Sequence, residues 1–115
     1  MKNNVRIVNL EIGKPTVEQG LRRMNGELST SRRMGCSAVK LIHGYGSSGQ
    51  GGKLRISARQ ALEGMKKKGQ IKDYLPGETF TIFETATLSA FSVAPALRKD
   101  PDLERYNNGI TIVIL

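Results

Sequence analysis

The stretch CSAVKLIHGYGSSGQGGKLR, residues 36–55, joins an apolar run to a glycine-rich loop and then to a basic segment. Residues 36–42 carry apolar side chains on both alternating faces, which predicts a central strand covered by other elements. Residues 53–68 place apolar side chains at helical spacing, which predicts a helix that ends at Gly69. The loop between them holds five of the chain's 13 glycines and its only histidine. Glycines let backbone N–H groups approach an oxyanion, and a helix N-terminus carries partial positive charge, so the stretch is typical of an anion-binding site.

The segment before this stretch predicts a strand and a helix. Residues 5–12 alternate imperfectly between apolar and polar side chains and predict a first strand. Thr16 is a favourable N-cap residue, and Gln19 completes a capping box with it. The helix that starts there carries an apolar stripe and ends at Gly35, the expected C-cap glycine.

The segment after this stretch predicts two more strands. Residues 71–76 are expected to form a connector, residues 79–83 a third strand and residues 110–115 a fourth. The enlarged loop at about 89–109 is expected to be mobile, because it is long and contains two prolines. The predicted order is β-α-β-α-β-β in a single domain that covers the whole chain. Right-handed crossovers place both helices on one face of a four-stranded mixed sheet, which is an α+β fold or two-layer α/β sandwich.

Positive charge is concentrated in one part of the chain. The net charge is 18 − 10 = +8, and residues 53–72 contribute 7 − 1 = +6 of it. A net positive charge of this size favours an anionic partner, and nucleic acid is the first candidate. A lysine-rich helix face that serves only solubility is the alternative. Aromatic residues make up only 5% of the chain and tryptophan is absent, which argues against a large platform for stacking single-stranded bases.

Cysteine usage and hydropathy indicate a cytoplasmic protein. The single cysteine, Cys36, cannot form an intramolecular disulfide, which is typical of a reducing compartment. The first residues contain no apolar signal segment, and the apolar run at residues 112–115 is far too short to span a membrane. We therefore expect no membrane partner, and the oligomeric state stays open.

Other uses of the glycine loop fit the sequence poorly. Residues 44–49 match G-x-G-x-x-G, but the helix begins too late and no strand ending in an acidic residue follows at the right place. A P-loop counted from Gly46 fails, because Gly52 stands where the lysine should be. One histidine, one cysteine and ten scattered carboxylates give no cluster of metal ligands, so we expect no cofactor unless a nuclease activity recruits a divalent metal.

Three blocks of sequence, taken in order, resemble the Smr (small MutS-related) domain family. Residues 10–21, LEIGKPTVEQGL, align without gaps on the family's pattern LDLHGLTVEEAL. The second block is VKLIHGYG at residues 39–46, followed by KLR at residues 53–55, which resembles the family's His-Gly-x-Gly loop and helix start. The third is NGITIVIL at residues 108–115, which resembles the family's glycine turn and last strand.

This resemblance implies a fold like the C-terminal domain of translation initiation factor three. It also implies nucleic-acid binding, with DNA-nicking or RNA-cleaving activity in some members. The family's acidic position is Glu11 here, and its loop histidine is His43. The histidine of the family's first motif is replaced by Gly13, and losing a positioned acid or base costs about 10²–10⁴-fold in rate.

Two groups of residues are therefore the candidate site. The candidate catalytic residues are His43 and Glu11, although the lone histidine has an alternative role in fixing the shape of the loop. The candidate phosphate-binding residues are Gly44, Tyr45, Gly46, Gly49, Gly51, Gly52, Lys53, Arg55 and Arg59. We expect a module that binds DNA, RNA or a ribosome-associated partner with catalysis lost or reduced. An active endonuclease and a protein-interaction adaptor that docks through the 89–109 loop are the alternatives, and a nucleotide binder is a weaker one.

Overall fold

A four-stranded mixed sheet organises the computed structural model, which describes residues 4–45 and 51–115. The strands are β1 (Val5–Asn9), β2 (Ala38–Ile42), β3 (Asp73–Pro76) and β4 (Ile110–Ile114). They lie in the order β1-β2-β4-β3, with β1 parallel to β2 and with β4 antiparallel to both of its neighbours. The predicted α+β fold with a four-stranded mixed sheet is confirmed, and β2 is one of its two central strands.

The first helix, α1 (Val17–Arg33), begins and ends where the sequence predicts. The Thr16 hydroxyl accepts the N–H of Gln19 at 3.1 Å, and the Gln19 side chain accepts the N–H of Thr16 at 3.0 Å. This reciprocal capping box satisfies two N–H groups that a helix start leaves without partners. Gly35 follows the helix with φ of +77°, the left-handed conformation expected of a C-terminal glycine.

The second helix, α2 (Gly51–Lys67), packs beside α1 on the same face of the sheet. Gly20 of α1 lies against Leu54 of α2, and a Cβ at Gly20 would stand 2.6 Å from Leu54 Cδ1. The small residue therefore lets the two helices approach closely. Apolar side chains fill the space between the helices and the sheet: Val8, Leu10, Met24, Leu28, Val39, Leu41, Leu54, Ala58, Leu62, Ile71 and Val113.

The third strand is Asp73–Pro76, so the predictions of a connector at residues 71–76 and of a strand at residues 79–83 are wrong. β3 pairs with β4 in antiparallel register, with Leu75 opposite Ile112. A 3₁₀ helix follows at Gly77–Thr79. Among the residues at 79–83, Phe80 is buried against the sheet and forms no strand.

The opposite face of the sheet is covered by residues 80–109, which we call the cover segment. Helix α3 (Thr85–Val93) and a 3₁₀ helix at Pro95–Lys99 occupy much of the enlarged loop at 89–109 that was expected to be mobile. This cover and the sheet enclose a second apolar cluster: Ala38, Leu75, Phe80, Ala90, Phe91, Ala94, Leu97, Ile110, Ile112 and Ile114. Residues 89–109 therefore form a packed part of the fold.

A buried ion pair fastens this cover to the central strand. Lys40 of β2 is only 5% exposed, and its Nζ lies 2.9 Å from Asp100 Oδ1 and also contacts Asp102. Asp102 in turn accepts the side-chain N–H of Asn107 at 3.0 Å. A lysine in the middle of a sheet needs such partners, because an unpaired charge is costly to bury.

Candidate functional site

The loop that follows β2 is held against the start of β4. The N–H groups of His43 and Gly44 both donate to the carbonyl oxygen of Gly109, at 3.1 and 3.0 Å. Gly109 also lies against Tyr45, since a Cβ at Gly109 would stand 3.1 Å from Tyr45 Cδ1. The Gly44 N–H, a predicted phosphate donor, is therefore already used inside the protein in this structure.

Glu11 lies directly beside this loop. β1 ends at Asn9, earlier than predicted, and the Asn9 side chain accepts the N–H of Glu11 at 2.8 Å as the chain turns. A Cβ at Gly44 would overlap the Glu11 carboxylate. The fold thus brings together Glu11 and the glycine loop, which stand more than 30 residues apart in the sequence.

His43 is fully buried and both of its ring nitrogens have partners. Nδ1 lies 2.8 Å from the carbonyl oxygen of Gly44, which can only accept, so Nδ1 carries the proton. Nε2 then accepts the hydroxyl hydrogen of Thr111 at 2.8 Å. Burial lowers the pKa of His43 to about 4, and the positive charges of Arg59 and Arg55 act in the same direction. This imidazole is neutral at neutral pH, and its hydrogen bonds hold residues 43 and 44 against β4.

The pKa of His43 predicts an acid-sensitive stability. Between pH 6.5 and about 4, the unfolded chain binds a proton at this histidine that the folded chain excludes. The stability that depends on a neutral His43 is fully present above pH 6.5. As the pH falls below this value, the free energy of unfolding decreases, by about 3 kcal/mol at pH 4. Because the chain has one histidine, an NMR titration of its imidazole signals reports this group alone.

The variant His43→Gln separates this effect from the titration of carboxylates. It should be less stable than the natural protein at pH 7, but its free energy of unfolding should change less between pH 6.5 and 5. An imidazole that titrates near pH 6.5 in the folded protein would contradict the buried, neutral assignment.

The side chain of Arg59 connects α2 to Glu78 and to strand β4. Its guanidinium binds the Glu78 carboxylate through two hydrogen bonds of 2.7 Å, and its Nε donates to the Thr111 hydroxyl at 3.1 Å. It also donates to the carbonyl oxygen of Ile110 at 3.2 Å. Burial opposes the ionisation of Glu78, but the hydrogen bonds and charge of Arg59 outweigh it, so the pKa of Glu78 is lowered. Arg59, which was among the predicted phosphate contacts, is therefore engaged with groups of the protein in this structure.

Lys53 and Arg55 stand in the first turns of α2, next to the glycine loop. Lys53 is exposed, whereas Arg55 is half-buried. The Arg55 Nε is enclosed without a hydrogen-bond partner among the residues that the structure describes. Gly51 and Gly52 open the helix, as a candidate anion site requires. The other two predicted glycine contacts, Gly46 and Gly49, lie outside the described residues.

Exposed cations gather at the ends of α1 and α2. Ion pairs within residues 4–45 and 51–115 involve the basic side chains of Arg6, Arg22, Lys40, Arg59 and Lys66. The exposed basic residues of α1, α2 and their ends that share no ion pair with another described residue are Lys14, Arg32, Arg33, Lys53, Lys67, Lys68 and Lys72. The positive charge of residues 53–72 is therefore divided, because Arg59 is engaged inside the protein whereas Lys53, Lys67 and Lys68 are exposed.

Comparison of this chain with protein-family models, with curated proteins and with solved structures found no match. In the part of the chain that the structure describes, no three histidine, cysteine or carboxylate side chains converge as a metal site would require. None of the helices within the described ranges has the length and apolar composition to cross a membrane.

Three residues around the loop were absent from the predicted site: Glu78, Gly109 and Thr111. Thr111 is the one polar residue in the apolar strand β4, and that exception is the only local hint of its role. Gly109 belongs to the third block of the resemblance, but that block did not place it beside residues 43–44, and Glu78 lies in no motif. Their contacts with Arg59 and His43 follow from sheet topology, because β4 lies beside β2.

Proposed function

We propose that this protein is an Smr-like domain that binds DNA or RNA through contacts to the phosphate backbone, with endonuclease activity lost or reduced. The observation that carries the proposal is the distribution of charge. Most of the acidic side chains bond to other groups of the protein, as Asp100, Asp102 and Glu78 do, while the lysines and arginines at the ends of α1 and α2 face solvent. A surface of this kind attracts a polyanion, with an affinity that falls steeply as salt rises.

The first contacts are proposed at Lys53 and Arg55. Both follow the glycine loop, and a phosphate there would also benefit from the N-terminal end of the α2 dipole. An anion would relieve an unfavourable arrangement, because Lys53, a cation in the first turn of α2, opposes that dipole. The free, buried thiol of Cys36 is consistent with a cytoplasmic setting.

Two observations support weak or absent catalysis. His43 is buried with both ring nitrogens engaged, so it has no free nitrogen for a substrate proton in this conformation. Gly13 has no side chain to supply the second imidazole that the resemblance implies. General acid–base catalysis requires such a group within hydrogen-bond reach of the substrate.

The variant Lys53→Glu/Arg55→Glu tests the binding proposal. We expect its affinity for fluorescent DNA and RNA to fall by about tenfold or more at moderate salt, because two phosphate contacts become repulsive. Fluorescence anisotropy measures the change, and thermal unfolding verifies that the variant is folded.

The matched control is Lys99→Glu/Arg105→Glu, which changes the charge equally on exposed residues of the cover segment. It should retain most of the affinity. Equal losses in both variants would mean that only net charge matters. No binding by the natural protein would sink the proposal and favour the adaptor, to which the exposed apolar side chains of Phe83 (83%) and Leu88 (50%) point.

An active endonuclease is the second candidate, because the Glu11 carboxylate lies against Gly44 in the candidate site. It would use Glu11 and His43, with a divalent metal if one binds. Cleavage of labelled RNA or DNA that disappears in Glu11→Gln would support it. Intact substrate across Mg²⁺, Mn²⁺ and Zn²⁺ would exclude it.

A further inference from the structure

The outer face of α2 carries a lysine at each end. Lys53, Gln60 and Lys67 are all exposed and are spaced by seven residues, so they lie on nearly one stripe of the helix. Fourteen residues separate the two lysines, which corresponds to about 21 Å along the helix axis. Glu63 lies off this stripe and is half-buried, with its carboxylate accepting the hydroxyl of Tyr74 at 2.8 Å.

The far end of this stripe joins the end of α1. The Arg32 guanidinium donates to the carbonyl oxygen of Gln70 at 2.7 Å, which ties the last turn of α1 to the segment after α2. This end of the domain presents five exposed basic residues, which we call the basic end: Arg32, Arg33, Lys67, Lys68 and Lys72. Lys66 lies among them but is paired with Asp73 at 3.0 Å.

The composition of this face favours a paired nucleic acid. Neither α1 nor residues 51–72 contain an aromatic residue. Proteins that bind single strands without sequence preference combine a basic groove with aromatic side chains on which bases stack. Beside this face, Tyr45 stands in the loop before α2 and the half-buried Tyr74 is bonded to Glu63, so no row of aromatic rings alternates with the cations along the described part of the helix. Such a face suits the regular phosphate backbone of a duplex.

We propose that a nucleic-acid duplex lies along the outer face of α2, from Lys53 to the basic end. One strand rises about 3.4 Å per base pair in B-form DNA, so a 21 Å stripe spans phosphates over about six base pairs. This inference rests on the proposed function and specifies the paired form and the length of its ligand.

Duplex length provides the test. The probes are DNA duplexes of about 4 and about 12 base pairs. The two strands of each probe are covalently joined so that the short duplex stays paired. The short duplex is about 14 Å long and cannot reach both ends of the stripe. Lys67→Glu/Lys68→Glu should weaken binding of the long duplex by about tenfold or more and of the short one by about twofold at most. The long duplex should also show the steeper dependence of affinity on salt in the natural protein.

The controls separate this inference from the function on which it rests. If Lys67→Glu/Lys68→Glu leaves the long duplex unaffected while Lys53→Glu/Arg55→Glu weakens both duplexes, the footprint is wrong and the proposed function stands. If a single strand of equal length binds more tightly than the long duplex, the assignment to paired nucleic acid is wrong. If no nucleic acid binds at low salt, the proposed function itself fails.

Discussion

Lys40→Met is expected to lower the free energy of unfolding by about 3–5 kcal/mol, the usual cost of removing one partner from a buried ion pair. The Lys40 side chain is 6% exposed, and it neutralises both Asp100 and Asp102 beneath the cover segment. Burial opposes the charge on Lys40, but its hydrogen bonds to these two carboxylates outweigh that effect and raise its pKa. Without the lysine, two neighbouring carboxylates lose their counter-charge. Urea unfolding at pH 7 measures the difference.

Two further variants test the cause of this loss. Lys66→Met removes a lysine from an exposed pair with Asp73 and should cost less than about 1 kcal/mol. The triple variant Lys40→Met/Asp100→Asn/Asp102→Asn removes all three charges and should recover part of the stability, since replacing a whole buried ionic group is far less costly than breaking it. A loss below 1 kcal/mol for Lys40→Met would show that the ion pair does not hold the cover in place.

Gly77→Ala is expected to destabilise the protein by about 3 kcal/mol or more, at the upper end of the cost of overpacking. A Cβ at Gly77 would overlap the carbonyl oxygen of Asn107 and would stand 2.9 Å from the carbonyl oxygen of Ile110. Backbone atoms cannot rotate away as the end of a side chain can. This close approach also positions Glu78 for its hydrogen bonds with Arg59, so we expect the ion pair between Arg59 and Glu78 to weaken as well.

The matched control is Gly64→Ala, within α2. A Cβ there meets no atom within 4 Å, so the alanine should stabilise the protein by about 0.5–1 kcal/mol through its better helix propensity. Thermal unfolding of both variants makes the comparison. Similar midpoints for Gly77→Ala and the natural protein would contradict the contact between Gly77 and β4.

The first half of the fold could be predicted because its signals are local. The capping box at Thr16 and Gln19, the glycine at 35 and the apolar run that became β2 each depend on neighbours in the sequence. β3 could not be predicted so easily, because it is four residues long, includes Pro76 and lies at the edge of the sheet. The β-branched and aromatic residues after it were the stronger strand signal, yet burial of Phe80 against the sheet prevailed over that propensity.

The candidate site shows the same division between local and long-range information. The resemblance in three blocks led to the expectation that Glu11 and the glycine loop belong to one site, and they are adjacent in the structure. Arg59 was among the predicted phosphate contacts, whereas the structure pairs it with the carboxylate of Glu78, 19 residues further along the chain. Such a pairing depends on how β4 and the 3₁₀ helix at Gly77–Thr79 meet, which no local pattern encodes.

The most direct test of the proposed function follows binding and integrity of the same labelled DNA and RNA duplexes in one titration. Anisotropy should rise with protein concentration at low salt, the affinity should fall linearly on logarithmic axes as salt increases, and the recovered strands should be intact. Unchanged anisotropy at low salt for every duplex would contradict nucleic-acid binding. Binding with efficient cleavage would contradict the loss of catalysis.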